Sequence, residues 1–303
     1  ESMFFGPALL CRHSGQQVML LCLSTGNADG LGETRKQELV QAAQVLGIPE
    51  RLVQTVDDPE LQDGMHTVWS PAKIEEVVSA EVVRSKIHTV VTFDEDGVSG
   101  HINHRAVAHA LANASERGRL LQENGRPARV FQLKTTGIVR KFLGLLDIFF
   151  SSSEKYLFLA PAGGFLAVWR AMALHESQVR AGHSVPRLAF RASLPLNSRL
   201  CPRRMQFVWY RKAFVATSRY TYINTFAEVK PTSAVLAALA VKNGKPVAAL
   251  EEEVYSEDEQ PNKNDTAKGT KKKDGPRKRA GKDEKEAKRK RPSTSAKKSR
   301  LLK

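Results

Sequence analysis

The chain has 303 residues, of which 41% are hydrophobic and 7% aromatic, and this is enough for one sizeable α/β domain with appendages. Its net charge is +15, but residues 261–303 hold 18 Lys and Arg against five Asp and Glu, so 13 of those charges belong to that end. The remaining body is nearly neutral, which excludes inferring its function from the basic pI.

Short apolar runs alternate with helical patterns from residue 15 to about 180. The run 17–24 is nearly continuous, as in a strand that is buried on both faces. Ser70 and Pro71 predict the N-cap and first turn of a helix. Strands are predicted at 17–24, 51–56, 88–93, 128–133 and 156–160, and helices at 32–46, 71–85, 102–117, 140–150 and 164–178. This alternation predicts a Rossmann-like three-layer α/β sandwich with a mostly parallel sheet.

The periodicity is lost after residue 178. Residues 179–204 have scattered Pro, Arg and Ser, and 205–226 form an aromatic and basic amphipathic segment. That segment has two interpretations: it lies on a membrane surface, or it is an ordinary helix packed on the sheet. The Lys- and Arg-rich residues 261–303 cannot bury enough surface to fold and are predicted to be disordered.

The cysteines and the hydropathy bear on the compartment. Cys11, Cys22 and Cys201 form no C-x-x-C pair, which suits a reducing compartment or the cytosolic side of a membrane. No stretch reaches the ~18 apolar residues of a transmembrane helix. There is no signal peptide either. Because the first residue is Glu1 and not Met, however, we expect the natural N-terminus to be missing, together with any transmembrane helix or signal peptide that it held.

The most chemically suggestive segment is 93–104, which follows a predicted strand and opens a predicted helix. His101 and His104 have the spacing i, i+3 and therefore lie close together on the first helical turn. Neutral imidazole is a common zinc ligand, so the pair can supply one ligand and one general acid or oxyanion stabiliser. The alternative is a capped helix start with two surface histidines.

Several motifs, in the order in which they occur, resemble those of the PIG-L/LmbE-like de-N-acetylase family. The resemblance spans Glu1 to about Phe226, with an interruption at 179–204 that we interpret as an insertion. It fits the eukaryotic, membrane-associated branch better than the soluble bacterial enzymes. The matching stretches are 24–27, 32–39, 46–49, 62–64, 90–94, 97–104, 171–178 and 209–220.

The resemblance implies a role for each site residue. His104 matches a metal ligand, and His101 matches the histidine that stabilises the oxyanion or protonates the leaving amine. Arg35 and Asp63 match positions that contact substrate hydroxyls or phosphate, with a surface salt bridge as the alternative for each. Asp94 lies at a strand end, where it is expected either to orient one of the histidines or to cap the loop.

The family signature His-Pro-Asp-Asp-Glu would end at Glu1. The other two metal ligands and the general base would then precede this chain. As it stands, the chain is expected to bind zinc weakly and to release little acetate.

The implied activity is hydrolysis of the N-acetyl group of N-acetylglucosaminyl-phosphatidylinositol in GPI-anchor biosynthesis, with Zn²⁺ or another divalent ion as cofactor. The implied partners are the glycolipid substrate and the cytosolic face of the endoplasmic reticulum membrane, without specific nucleic acid. The implied domains are a deacetylase domain at 1–226, a linker at 227–260 and the basic tail at 261–303.

Three alternatives stay open: a soluble sugar deacetylase of the LmbE-like kind, a catalytically dead fragment, and a protein that binds nucleic acid or anionic surfaces through its tail. Clusters such as 271–273 and 288–291 would bind phosphates without sequence specificity. The nearly neutral body lacks the clustered basic face that this last alternative requires.

Overall fold

The computed structural model describes residues 2–12, 16–64, 67–179, 212–244 and 246–248, all within one compact unit, Glu1–Asp258. In these ranges the strands are β1 (Leu20–Cys22), β2 (Val53–Thr55), β3 (Thr89–Phe93), β4 (Arg129–Leu133), β5 (Tyr156–Leu159) and β6 (Ile223–Val229). The helices are α1 (Ser2–Leu10), α2 (Gly32–Val45), α3 (Pro71–Arg84), α4 (Gly97–Gly100), α5 (Ile102–Glu116), α6 (Ile138–Lys141), α7 (Ile148–Ser151), α8 (Gly164–Ala173), α9 (Glu176–Val179), α10 (212–217) and α11 (Ser233–Asn243).

The strands form two sheets. Strands β1 and β2 pair in parallel, from Leu20 opposite Val53 to Cys22 opposite Thr55. The second sheet has the order β3-β4-β6-β5, in which β3 and β4 are parallel and β6 is antiparallel to both of its neighbours. Three of its four strands therefore run in one direction, as predicted, and the antiparallel β6 makes this a mixed sheet.

The two faces of β4 show the layers. Val130 is fully buried on one face, in a cluster with side chains of α3 and α5. Leu133 is fully buried on the other face, together with Phe4 of α1 and Tyr220. Since successive side chains of a strand point to opposite faces, helices cover both sides of the sheet. The predicted three-layer α/β sandwich is confirmed.

Helix α1 and strand β6 are among the elements that were not predicted from the sequence. Helix α1 packs so closely on α8 that a Cβ at Gly6 would lie 2.4 Å from a methyl group of Val168. Strand β6 lies at the end of the aromatic and basic segment. Its buried Asn224 donates to the Phe4 carbonyl oxygen at 2.8 Å and accepts from the Ala8 N–H at 3.1 Å. These partners lie more than 200 positions away in the chain, so local pattern does not reveal them.

The aromatic and basic segment is a core element in its described part. Arg219 and Tyr220 are fully buried, which corrects the interpretation that these side chains lie on a membrane. The Tyr220 hydroxyl donates to the Lys134 carbonyl oxygen at 3.2 Å and accepts from the Thr136 N–H at 3.1 Å. Residues 205–211 lie outside the described part of the chain.

The first part of the C-terminal region forms regular secondary structure. The segment predicted as a linker, 227–260, holds the end of β6 and helix α11, whose Leu236 and Leu239 are buried. Residues 180–204 of the predicted insertion and the tail at 261–303 lie outside the described residues. None of the helices in the described ranges combines the length and the hydrophobicity that a bilayer crossing needs.

Candidate functional site

The candidate site lies where β3 and β4 end. Because these neighbours are parallel, the residues that follow them meet at one edge of the sheet. Asp94 follows β3 and Thr135 follows β4. The Thr135 hydroxyl donates to Asp94 Oδ1 at 2.6 Å, and the Thr135 backbone N–H donates to Asp94 Oδ2. The Asp94 carboxylate also accepts from the Gly97 N–H at 3.1 Å, so it fixes the loop that leads to the histidines.

His104 is held by three contacts on the first turn of α5. Its Nδ1 lies 3.0 Å from the Gly97 carbonyl oxygen. The ring stacks on Phe93, with centroids 3.9 Å apart and an interplanar angle of 6°, and meets Phe4 edge-on at 5.8 Å. A carbonyl oxygen can only accept, so Nδ1 carries the proton and the lone pair lies on Nε2. This is the tautomer that a metal ligand needs.

His101 has the opposite tautomer. It is the N-cap of α5, and its Nδ1 accepts from the Asn103 N–H at 3.3 Å. The proton of the neutral ring therefore sits on Nε2, where it can be donated. The ring is exposed, and its centroid lies 4.8 Å from that of His104. The structure thus brings together the two predicted histidines, and the capped helix start that was the alternative is part of the same arrangement.

The loop between Asp94 and His101 is strained. Gly97 has a φ of 57°, and a Cβ at this position would lie 2.8 Å from the His104 Cβ. Val98 has a φ of 61°, which is rare for a β-branched residue, and it is buried. Its N–H donates to the Thr135 hydroxyl at 2.9 Å, and its carbonyl oxygen accepts from Lys141. Strain of this kind is typical of functional sites, where surrounding contacts maintain it.

Arg35 and Asp63 form a second group, after β1 and β2. The Arg35 guanidinium lies 3.7 Å from Asp63 Oδ2 and 2.6 Å from Asp29 Oδ2, and it also donates to the Gly26 carbonyl oxygen. These contacts are the salt bridge that was the alternative interpretation. The side chain is 14% exposed, and its buried Nε–H has no hydrogen-bond partner among the described residues. A donor in this state is what a substrate oxygen would satisfy.

Comparison with known proteins identifies the family. The family model described as GlcNAc-PI de-N-acetylase matches residues 1–115. The N-acetylglucosaminyl-phosphatidylinositol de-N-acetylase of Bos taurus is 32% identical over 231 residues, which cover 74% of this chain and 78% of the bovine protein. The chain belongs to this de-N-acetylase family.

A second relative and a solved structure also match this chain. A protein of Schizosaccharomyces pombe named "Probable N-acetylglucosaminyl-phosphatidylinositol de-N-acetylase" is 41% identical over 149 residues. The match covers 48% of this chain and 57% of the yeast protein. Among solved structures, the N,N'-diacetylchitobiose deacetylase of Pyrococcus horikoshii matches with a TM-score of 0.46 and 12% identity, over 77% of this chain and 84% of that one.

Proteins of the PIG-L and LmbE-like deacetylase kind generally depend on a metal. In the described ranges, no three His, Cys, Asp or Glu side chains come together as a metal cluster. His104 has the chemistry of a ligand there, since the Gly97 carbonyl oxygen holds the proton of the neutral ring on Nδ1 and so leaves the lone pair on Nε2. The chemistry of this donor fits a divalent metal ion, and Glu1 lies outside the described residues.

Two site residues were missed in the sequence. Thr135 positions both Asp94 and Val98, and Lys141 holds the Val98 carbonyl oxygen. A signal for Thr135 exists, because it follows the strand that pairs with β3 and so must end near Asp94. Lys141 reaches the loop from a separate helix, α6, and no spacing in the sequence indicates that contact.

Proposed function

We propose that this protein hydrolyses the N-acetyl group of N-acetylglucosaminyl-phosphatidylinositol. Family membership supports this substrate, because the relatives' names specify it. The observation that carries the proposal is the pair His101 and His104, whose rings lie 4.8 Å apart with opposite tautomers. His104 can bind a metal through its lone pair, and His101 can donate a hydrogen bond to the reacting oxygen. Metal-assisted amide hydrolysis requires both of these functions.

The chain's own residues would act as follows. His104 would hold Zn²⁺ or another divalent ion through Nε2, and the ion would supply a Lewis acid and an activated water. His101 would donate a hydrogen bond from Nε2 to the oxygen of the acetyl group as negative charge develops there. In the alternative role, its ring would first gain a second proton, derived from the activated water, and the resulting imidazolium would protonate the leaving amine. Asp94 would act as a positioning residue through Gly97. Arg35 would orient a hydroxyl or phosphate of the substrate, with Asp63 fixing its guanidinium.

The place of action in this proposal is the cytosolic face of the endoplasmic reticulum membrane. A phosphatidylinositol-linked substrate resides in a bilayer, so an enzyme acting on it must meet the membrane surface. The reaction would release acetate and leave a phosphatidylinositol glycolipid with a free amine. We assign this product to GPI-anchor biosynthesis.

Zinc content and acetate release, measured side by side, test the proposal. Four proteins would be compared: the chain as given, the chain preceded by His-Pro-Asp-Asp, and the latter with His104→Ala or His101→Ala. We expect the longer chain to bind zinc and turn over, His104→Ala to lose the metal, and His101→Ala to keep the metal while losing roughly 10²–10⁴-fold in kcat.

Two outcomes would contradict the proposal. Unchanged zinc content after His104→Ala would remove that residue from the site. Equal hydrolysis of the glycolipid and of a free N-acetylglucosamine oligomer would instead indicate a soluble sugar deacetylase.

A further inference from the structure

An unusual share of the exposed apolar surface lies in one short stretch of the chain. In the described ranges, seven of the 16 exposed large hydrophobic side chains fall within residues 138–150. Surfaces of this kind mark sites of interaction with another molecule. Six of these residues are 58–77% exposed and are called here the apolar segment: Ile138, Val139, Leu145, Leu146, Phe149 and Phe150.

The segment is fixed in place by polar contacts on its inner side. Asp147 and Arg219 are both fully buried, with Asp147 Oδ2 2.6 Å from Arg219 Nε. Ser151 donates to Asp147 Oδ2 at 2.7 Å, and Arg140 donates to Asp147 Oδ1 at 2.7 Å. The Asp147 carboxylate and the Arg219 guanidinium therefore lie on the inner side while apolar groups point outward, which is the reverse of a surface built to face water.

The charged residues among 138–150 are mostly basic. Arg140 and Lys141 are partly exposed beside the apolar segment, whereas Asp147, the one carboxylate of this stretch, is fully buried. Outward leucine and phenylalanine side chains beside arginine and lysine are the composition of an element that lies in the interface of an anionic membrane.

The segment is also physically connected to the histidine pair. Lys141 donates to the Val98 carbonyl oxygen in the loop before His101. A row of edge-to-face aromatic contacts runs from Phe142 to Phe214 at 5.8 Å, to Phe4 at 6.0 Å, and to His104 at 5.8 Å. A bilayer bound at this segment would therefore lie beside the site.

We propose that the apolar segment inserts into the phospholipid surface and so presents the histidine pair to the headgroup layer. This rests on the proposed function, which makes the substrate a membrane lipid. The occupant is a bilayer that contains phosphatidylinositol. A second copy of the chain is the competing occupant, and the test below separates the two.

Vesicle co-sedimentation of the full 303-residue chain tests the proposal without any activity. Vesicles of phosphatidylcholine with phosphatidylinositol would be used at about 0.5 M salt, so that attraction by the basic tail is screened. Phe149→Ser with Phe150→Ser should lower the partition coefficient at least roughly tenfold. The matched control is Val68→Ser with Val241→Ser, at positions 76% and 83% exposed, and it should stay within about twofold. Equal effects of the two pairs would overturn the proposal.

A second measurement does not depend on the serine variant folding. Phe149→Trp should be quenched by brominated phospholipid, whereas Val241→Trp should not, each read as the difference from the parent chain. Absence of quenching at position 149 would overturn the proposal. So would a loss of self-association in Phe149→Ser with Phe150→Ser that leaves vesicle partition unchanged, because the segment would then face a second copy.

Activity separates this inference from the proposed function. The activity is measured on the chain preceded by His-Pro-Asp-Asp. If both hold, the double serine variant of that longer chain loses hydrolysis of substrate in vesicles but keeps hydrolysis of a water-soluble analogue without acyl chains. If the longer chain without the serine substitutions hydrolyses neither, the proposed function fails, and the co-sedimentation and quenching results still decide on the membrane contact.

Discussion

At the scale of single residues, Gly97 controls the geometry of His104. Its carbonyl oxygen fixes the tautomer of that ring, and a Cβ at Gly97 would collide with the His104 Cβ at 2.8 Å. We expect Gly97→Ala to lower the free energy of unfolding by more than the roughly 1–2 kcal/mol of a left-handed alanine, and to weaken zinc binding. Thermal unfolding and zinc titration of the chain preceded by His-Pro-Asp-Asp measure the two effects.

Gly100 provides the control for that prediction. It also has a positive φ, of 75°, but a Cβ there would meet nothing within 4 Å. Gly100→Ala should therefore show the backbone cost alone, with zinc binding retained. Equal zinc affinities in the two variants would show that Gly97 is a turn residue and does not position His104.

Thr135 gives a second test at this scale. Its hydroxyl accepts from the Val98 N–H and donates to Asp94, so Thr135→Val leaves both groups without that partner. We expect a loss of about 1–3 kcal/mol in the free energy of unfolding, together with reduced kcat. The neighbouring Thr136 is the control, because its buried hydroxyl oxygen has no hydrogen-bond partner in the described structure. Thr136→Val should be neutral or slightly stabilising, and a reversed order would contradict this account.

The identities of the site residues could be predicted from sequence, whereas their protonation could not. His101 and His104 were visible as a pair at i, i+3. Which ring nitrogen carries the proton depends on Gly97 and Asn103, and these contacts exist only once the loop has its left-handed turns. Asp94 was expected either to orient a histidine or to cap the loop, and its bonds to Thr135 and the Gly97 N–H are those of the loop cap.

At the scale of elements, the stretch predicted as one helix at 140–150 is two short helices, α6 and α7, with a break between them. Its apolar residues recur at helical spacing, which indicates that they share a face but not that the face has a partner. Gly144, with a φ of 55°, divides the stretch, and a Cβ there would lie 3.4 Å from the Thr217 carbonyl oxygen. The helix is therefore broken at a left-handed glycine, and the apolar side chains on either side of it stay exposed.

The Asp147 carboxylate stabilises this broken stretch, and its pKa makes that contribution dependent on pH. Burial acts to raise the pKa, but hydrogen bonds from Arg140 and Ser151 and the charge of Arg219 together hold it below the usual value of an aspartate. A depressed pKa contributes stability above the unfolded-state value of about 3.9, and this is lost as pH falls through the folded-state value.

Asp147→Asn removes this contribution. It would leave the fully buried Arg219 without its counter-charge, so we expect a loss of about 3–5 kcal/mol at neutral pH. The loss should shrink as the pH falls below about 4, because the parent protein then loses the same interaction. Denaturant unfolding at several pH values measures this. Glu33→Gln, at a side chain that is 75% exposed, is the control and should change little. A loss that stays constant down to low pH would contradict the assigned role.

At the scale of the whole molecule, the family motifs meet although they are far apart in sequence. Glu38 of α2 is buried and accepts hydrogen bonds from the Ser177 N–H and hydroxyl, each at 2.6 Å. These residues belong to the stretches 32–39 and 171–178 of the resemblance. The fold class was predictable because alternating strands and helices allow few arrangements. Strand β6 was not, because its place between β4 and β5 is decided by pairings that only the assembled sheet makes.

The basic tail is a separate electrostatic unit on this scale, and the last prediction concerns it. Residues 259–303 form a unit distinct from Glu1–Asp258, and 261–303 carry 13 of the 15 net charges. Ending the chain at Asp258 should change the free energy of unfolding by less than about 0.5 kcal/mol, since the core lies elsewhere. It should also abolish most binding to anionic polymers, because such binding depends on released counterions and falls steeply with salt.

Titration with heparin or DNA at two salt concentrations, together with denaturant unfolding, measures both effects. The apolar segment supplies the contrast: its contact with phosphatidylcholine vesicles should persist at about 0.5 M salt in the shortened chain, where charges are screened. Loss of that salt-resistant binding on removing the tail would show that the tail, and not the apolar segment, attaches this protein to membranes.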